Sequence, residues 1–245
     1  MNDAVRVRRA LVTGGSGDIG QAVCFALAQH GVQVIVHANS HIDKARAVAA
    51  QIQSEGGQAE AVAFDVTDAD AAAAQMEALL AAGSIDIVVN NAGIHDDAPM
   101  AGMSAQQWHR VIDVSLHGFF NVTQPLLLPM ARKRWGRVVC VSSVAAVTGN
   151  RGQTNYAAAK SALHGAVKSL AREMASRGLT ANVVAPGVIQ GSMADASFDA
   201  AQIKAIVPAA RAGTPQEVAA LVAFLCSESA GYINGQVIGI NGGMG

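Results

Sequence analysis

Seven short apolar runs alternate with long alanine-rich stretches of helical spacing. No other feature limits the possible folds as tightly. The runs are RALVT (9–13), VQVIVH (32–37), AEAVAF (59–64), IDIVVN (85–90), GRVVCVSS (136–143), LTANVVAP (179–186) and GQVIGI (235–240). Between them, 18–30, 41–56, 68–82, 104–134, 154–177 and 214–227 carry helical spacing. Strands that alternate with helices in this way build a parallel sheet, and the crossover helices cover both of its faces. The expected class is therefore α/β. Helix starts are marked locally. Ser104 and Gln107 make a capping-box pattern, and Thr214, Pro215 and Glu217 place a cap, an N1 proline and an N3 glutamate in order. No linker, repeat or low-complexity tract interrupts the series, so 1–245 reads as one domain. The segment 188–212 has weak periodicity and reads as a loop with a short helix, placed to act as a lid.

Composition narrows the partners. The chain has 245 residues, enough for one large α/β domain or two small ones. Hydrophobic residues make up 51% and charged residues 14%, as expected of a surface partly covered by neighbouring subunits. A net charge of −1 argues against nucleic acid as the main partner. Cys24, Cys140 and Cys226 are far apart and form no CxxC pair, which suits reduced core thiols in a cytoplasmic protein. The first residues carry no apolar stretch of signal-peptide length, and no run reaches the ~18 apolar residues of a membrane span. Seven histidines show no HExxH or equivalent ligand spacing, so no metal is expected.

The first strand runs into LVTGGSGDIG (11–20). Glycines after a first strand let the backbone approach a pyrophosphate, which then rests on the amides of the following helix. Alone, such a turn is often an ordinary strand–helix connection. The second strand ends in His37-Ala38-Asn39-Ser40, without the acidic residue that would bind the ribose hydroxyls of NAD. Asn39, Ser40 and His41 can donate to a 2′-phosphate, which points to NADPH; the same residues would also serve a plain polar turn.

Tyr156 and Lys160 are four apart on an expected helix and share a face. A buried ammonium beside a phenol favours the phenolate, so the Tyr156 pKa is expected to fall toward neutrality. Ser143 closes a strand upstream, where it can hydrogen-bond a substrate carbonyl. Together they suit carbonyl reduction, with hydride from a nicotinamide and a proton from Tyr156.

TGGSGDIG, Asn90-Asn91-Ala92-Gly93, SSVAAVTGNRGQTNYAAAK (142–160), Pro186-Gly187 and INGGM (240–244) follow the order of the short-chain dehydrogenase/reductase family. The resemblance spans essentially the whole chain. Within the family it is strongest to reductases of 3-oxoacyl thioesters bound to acyl carrier protein. It implies a Rossmann-type, three-layer, doubly wound fold with a seven-stranded parallel sheet, a homotetramer, and NADPH as cofactor. It assigns catalysis to Ser143, Tyr156 and Lys160, with Ser115 in a proton relay. It assigns the cofactor to Gly14, Gly15, Ser16, Gly17, Asp18 and Ile19; to Asn39, Ser40, Asp65 and Val66; to Asn91, Ala92 and Gly93; to Tyr156 and Lys160; and to Pro186, Gly187 and Ile189. Asp65 would accept from the adenine amino group and Asn91 would line the ribose pocket. Arg134 and Arg177 stand where family members meet the acidic carrier protein; solvated helix ends are the equal alternative.

Three positions depart from the family pattern. Asp18 replaces a glycine, and Gly17 replaces a basic residue. The pair reads as a re-partitioned turn, with Asp18 in the first turn of the helix, favourable to its dipole and pointing sideways from the phosphates. Ser115 replaces an asparagine that holds a relay water; a hydroxyl can hold one too, with fewer donors. Gly191 replaces a threonine that bonds the nicotinamide carboxamide, and Ser192 stands one residue on to substitute. These departures, with NAGIHDDAPMAGM (91–103), resemble the ketoreductases of aryl-polyene pathways.

Other signals have bland readings. His95-Asp96-Asp97 reads as a surface loop near the site mouth. Met100, Met103 and 188–212 can line an acyl channel, although methionine is commonly gap filler. Helices 104–134 and 154–177 are apolar on more than one face, which suits pairing between subunits. A reductase of a CoA thioester, free ketone or polyol is the competing enzyme reading, with charge at Arg134 and Arg177 the discriminating feature. A non-catalytic partner subunit or nucleotide sensor is the reading from another class; the intact Ser143, Tyr156 and Lys160 weigh against it.

Overall fold

The structure, a computed structural model, describes residues 7–191 and 199–245. Seven parallel strands form one sheet in the order β3-β2-β1-β4-β5-β6-β7. They are β1 (Arg9–Val12), β2 (Gln33–Ala38), β3 (Ala59–Ala63), β4 (Ile87–Asn90), β5 (Gly136–Val141), β6 (Leu179–Pro186) and β7 (Val237–Ile240). All seven expected runs are strands; 179–186 is one over its whole length, 32–37 is shifted one residue on, and the other five are trimmed by one to two residues. Strands β1, β4, β5 and β6 are buried throughout, as a parallel sheet covered on both faces requires. The edge strand β7 is only half-buried.

Helices α1 (Asp18–Gln29), α2 (Ile42–Ser54) and α9 (Pro215–Leu225) cover one face. Helices α3 (Ala69–Ala82), α5 (Gly118–Lys133) and α7 (Thr154–Met174) cover the other. The alternation of side chains along each strand divides the core accordingly. Ala10 and Val12 pack toward α1, and Leu11 packs toward α5 and α7; Val34 and Val36 likewise oppose Ile35. Short helices α4 (Ala105–Ile112), α6 (Ala145–Thr148) and α8 (Ala200–Ile206) complete the described set.

Both expected capping boxes form, at Ser104–Gln107 and Thr214–Glu217. Asp199 and Gln202 form another at α8. The stretch 104–134, expected as one helix, is broken. Asp113–His117 is a π-helical turn between α4 and α5, and it turns Ser115 inward to full burial. The buried positions Val111, Ser115, Gly118 and Val122 stay three or four residues apart across it, so periodicity does not reveal it.

The sheet order reverses between β1 and β4, and the crevice at their carboxyl ends is where such folds hold ligands. The segment 188–212 is anchored at its described ends. Ile189 bridges Gly213, Val207 is buried, and the Ala209 amide donates to the Gly242 carbonyl at 3.0 Å. Gly20 lets α1 approach this crevice, because a Cβ there would lie 2.1 Å from the Gly14 carbonyl oxygen and 2.8 Å from Asn91 Nδ2. Gly20→Ala is expected to lower the urea midpoint by the equivalent of about 1–3 kcal/mol, the usual cost of overpacking. An unchanged midpoint would show that the turn has room to shift.

Candidate active site

The crevice is built on one junction. Thr13 Oγ1 accepts from the amides of Asn91 and Ala92, both at 3.0 Å. Asn91 Nδ2 donates back to the Thr13 and Gly14 carbonyls, both at 3.1 Å. Gly14 takes φ +61°, a left-handed conformation that glycine adopts without strain. The turn closes when the Gly17 amide donates to the Gly14 carbonyl at 3.1 Å. Helix α1 starts at Asp18 with Gly17 as an N-cap that makes no side-chain hydrogen bond. Its first amides therefore keep no intrahelical acceptor, which is the property an anion seat needs. The residues present fit a dinucleotide pyrophosphate here.

The other expected cofactor residues gather along the same edge. Asn39 and Ser40 are exposed at the end of β2, beside the uncapped start of α2. Asp65 Oδ1 accepts from the amide and hydroxyl of Thr67, both at 2.8 Å. Val66 is buried, and its carbonyl accepts from Asn121 Nδ2 at 2.9 Å. Asn91 spends its side-chain amide on the turn, holding Gly14 in place. Pro186 closes β6 and accepts from the Val144 amide at 2.7 Å; Gly187 donates to the Ile240 carbonyl at 3.0 Å. Ile19 and Ile189 pack against the same core cluster, from α1 and from the loop after β6.

Ser143, Tyr156 and Lys160 converge beyond the carboxyl end of β5. Lys160 is buried, donates to the Val141 carbonyl at 3.0 Å, and has Nζ 5.8 Å from the Tyr156 ring centroid. Gly93 makes the room, because a Cβ there would lie 2.8 Å from Lys160 Nζ. Burial brings the Lys160 pKa down to about 8. The expected fall of the Tyr156 pKa is corrected by the structure: the phenol is raised. Burial is the main cause, the hydrogen bond with Ser143 opposes it, and the Asp97 carboxylate adds to it. Desolvation of the phenolate outweighs an ammonium that is already engaged with a backbone carbonyl. Tyr156 is thus held in its protonated form.

Ser115 sits in the π turn, which packs against α7. Its Oγ is buried, with no hydrogen-bond partner among the described residues. Such a hydroxyl ordinarily finds a partner, so its place fits a relay position. Asp18 begins α1, as expected, and its carboxylate points at the loop after β6. A Cβ on Gly191, which has φ +136°, would lie 2.4 Å from Asp18 Oδ2. The two departures are therefore one steric arrangement: the carboxylate occupies the space that a side chain at 191 would fill. Ser192 lies outside the described residues.

The loop 95–98 is more than surface. Asp96 accepts from Gln107 Nε2 at 2.8 Å, and its carbonyl accepts from Asn155 Nδ2 at 2.9 Å. Asp97 accepts from Gln153 Nε2 at 2.9 Å and contacts His95 Nδ1 at 3.3 Å. Asn155 is fully buried beside Tyr156 and also donates to the Gln107 carbonyl at 3.1 Å. It ties this loop and α4 to the start of α7. Sequence reasoning missed Asn155 and the field of Asp97, because both act across elements distant in the chain. Met100 is exposed and lies in a short 3-10 turn at this mouth. No group of His, Cys, Asp or Glu able to hold a metal occurs among the described residues. No described helix is long and apolar enough to cross a membrane.

Arg134 and Arg177 lie at the other end of the sheet. Arg134 donates to the Ser176 carbonyl at 3.1 Å, and both arginines are exposed. They precede β5 and β6, whereas Tyr156 and Ser143 follow β5.

Comparison with known proteins identifies the family. The family profile described as Enoyl-(Acyl carrier protein) reductase matches residues 15–245. The 3-oxoacyl-(acyl-carrier-protein) reductase FabG of Aggregatibacter actinomycetemcomitans is 42% identical over 236 residues, 96% of this chain and 98% of the relative. The enzyme of that name from Staphylococcus aureus is 43% identical over 240 residues, 97% of this chain and 98% of its own. The Escherichia coli one is 43% identical over 238 residues, 96% of each. The chain belongs to the short-chain dehydrogenase/reductase family and is an oxidoreductase of the kind that uses a nicotinamide cofactor.

Two measurements probe the site. In a cycle of Asp18→Gly, Gly191→Thr and the double variant, Gly191→Thr alone is expected to weaken cofactor binding at least tenfold, about 1.4 kcal/mol, and Asp18→Gly to restore it. Additive effects would mean that the two positions are independent. In a Tyr232→Phe background, Asp97→Asn is expected to move the tyrosinate absorbance titration to lower pH, since the carboxylate that raises the phenol is gone. An unmoved or rising titration would remove Asp97 from the control of Tyr156.

Proposed function

We propose that this chain reduces a 3-oxoacyl thioester, carried on acyl carrier protein, to the 3-hydroxyacyl thioester with NADPH. The convergence of Ser143, the raised Tyr156 phenol and buried Lys160 beyond β5 carries this reading. The profile's description names enoyl reduction, but three relatives aligned over nearly their whole length bear the name of 3-oxoacyl reductases.

Bound NADPH supplies the hydride that adds to the carbonyl carbon. Ser143 donates a hydrogen bond to the carbonyl oxygen. Tyr156 gives that oxygen its proton as charge develops there. Lys160 stabilises the phenolate left behind, and Ser115 in the π turn holds the relay that refills it. The amides at the start of α1 hold the pyrophosphate. Asn39 and Ser40 meet the 2′-phosphate, since β2 ends without a carboxylate. Asp65 keeps one carboxylate oxygen for the adenine amino group while the other holds Thr67.

The carrier docks at Arg134 and Arg177. From Tyr156 to Met174, α7 rises through 18 residue steps, about 27 Å at 1.5 Å each, so these arginines lie at the far end from their own chain's Tyr156. A carrier held there serves the site of a neighbouring subunit. Phe120 and Leu128 on α5 are 62% and 63% exposed, an apolar face suited to antiparallel pairing of α5 and α7 within a homotetramer.

NADPH absorbance with a 3-oxoacyl thioester tests the reading. Turnover with NADPH is expected to exceed turnover with NADH, and Tyr156→Phe to lose at least ~10²-fold, the lower range for a general acid. Glu at both 134 and 177 is expected to slow reduction of carrier-bound substrate at least tenfold and leave a small thioester analogue within twofold. Equal losses on both substrates would favour a CoA thioester, free ketone or polyol. Cofactor binding without any turnover would favour the non-catalytic reading.

A further inference from the structure

His37 is a polar side chain, 1% exposed, at the end of β2, and no step above uses it. Its ring joins three segments. The Gly14 amide donates to Nδ1 at 3.1 Å, and Nε2 lies 2.8 Å from the Phe64 carbonyl. An amide can only donate and a carbonyl can only accept. The ring is therefore the neutral tautomer with its proton on Nε2. The backbone of His37 adds a further contact, its carbonyl accepting from the Gly15 amide at 2.8 Å. The Phe64 ring packs on the imidazole with centroids 4.3 Å apart, and Asp65 and Val66 follow directly. One side chain thus spans from the glycine turn to the segment that faces adenine.

We propose that His37 is a positioning residue that sets the spacing between the pyrophosphate turn and the adenine end of the cofactor site, and that its protonation loosens both. The proposal rests on the NADPH reading above. A proton on Nδ1 would face the Gly14 N–H, so the cation cannot keep this bond. Burial lowers the His37 pKa, while the Phe64 carbonyl and the Asp65 carboxylate oppose that fall. Cys24 of α1, near Gly15, is an uncharged thiol whose pKa burial raises. With the folded pKa below the ordinary 6.5, the unfolded chain takes the proton first. Stability from this group is complete above that value and is lost as pH falls below it.

The test uses the whole chain, with NADP⁺ and NAD⁺ as calorimetric probes. His37→Phe keeps a ring without either nitrogen, and His37→Gln keeps an acceptor and a donor. The Kd for NADP⁺ is expected to rise at least tenfold in His37→Phe and to stay within threefold in His37→Gln. As pH falls below 6.5 the wild-type Kd is expected to rise more steeply than that of His37→Gln, a comparison that cancels titration of the 2′-phosphate itself. Imidazole nitrogen shifts of the cofactor-free chain are expected to place the His37 proton on Nε2. A natively folded His37→Phe that binds within twofold of wild type would overturn the proposal, as would a proton on Nδ1. Wild type that binds neither dinucleotide would sink the cofactor reading and this proposal with it; wild type that prefers NAD⁺ would correct only the choice of cofactor, and the same variants would then be read with NAD⁺.

Discussion

The hydrogen bonds between Thr13 and Asn91 are the constraint from which the rest of this site follows. A parallel sheet whose order reverses leaves a gap between the carboxyl ends of β1 and β4. Thr13 Oγ1 closes the gap, accepting two amides and donating to the Val89 carbonyl at 3.4 Å. Asn91, the residue after β4, answers with both protons of its amide. With the two strand ends locked, Gly14 has one available path, and α1 must start within reach of it. Asn91 is followed by Ala92 and Gly93, so the same lock also sets the clearance over Lys160.

The site holds polar groups in places that cost stability. Lys160 is a buried ammonium whose pKa burial pulls down, and the described contacts give it one backbone carbonyl. Ser115 is a buried hydroxyl with no partner among the described residues. Helix α1 begins without a side-chain cap, although α3, α4, α8 and α9 each have one. Each of these is a local loss that a sheet buried on both faces can carry. Local rules broken together at one place are the mark of a functional site.

Much of this was legible in the sequence. Runs bounded by glycine and proline, alternating with alanine-rich helical spacing, led to the right strands and the right sheet type. The capping residues Ser104 and Thr214 act one turn away from themselves, and they appear as read. Asp18 stands in the first turn of α1, as read; that its carboxylate lies against Gly191 in the loop after β6 was not legible. What failed was anything that depends on distant neighbours. The break at Asp113–His117 leaves the apolar phase nearly intact. The Tyr156 phenol is raised because the fold buries it and brings up Asp97, a residue 59 positions earlier in the chain. Asn155 and His37 looked like unremarkable polar residues until their partners at Asp96, Gln107, Gly14 and Phe64 were in place.

The division has a physical origin. Strand and helix identity, caps and the glycine turn depend on residues within a few positions of one another, and steric and hydrogen-bonding preferences act over that range. The family pattern adds Ser143, Tyr156 and Lys160, whose spacing on one strand end and one helix already places them together. Protonation states, the coupling of Asp18 to Gly191, and the separation of Arg134 and Arg177 from Tyr156 depend on burial and on distance in space. Those quantities come into existence only when the sheet closes its order and the helices settle on its two faces.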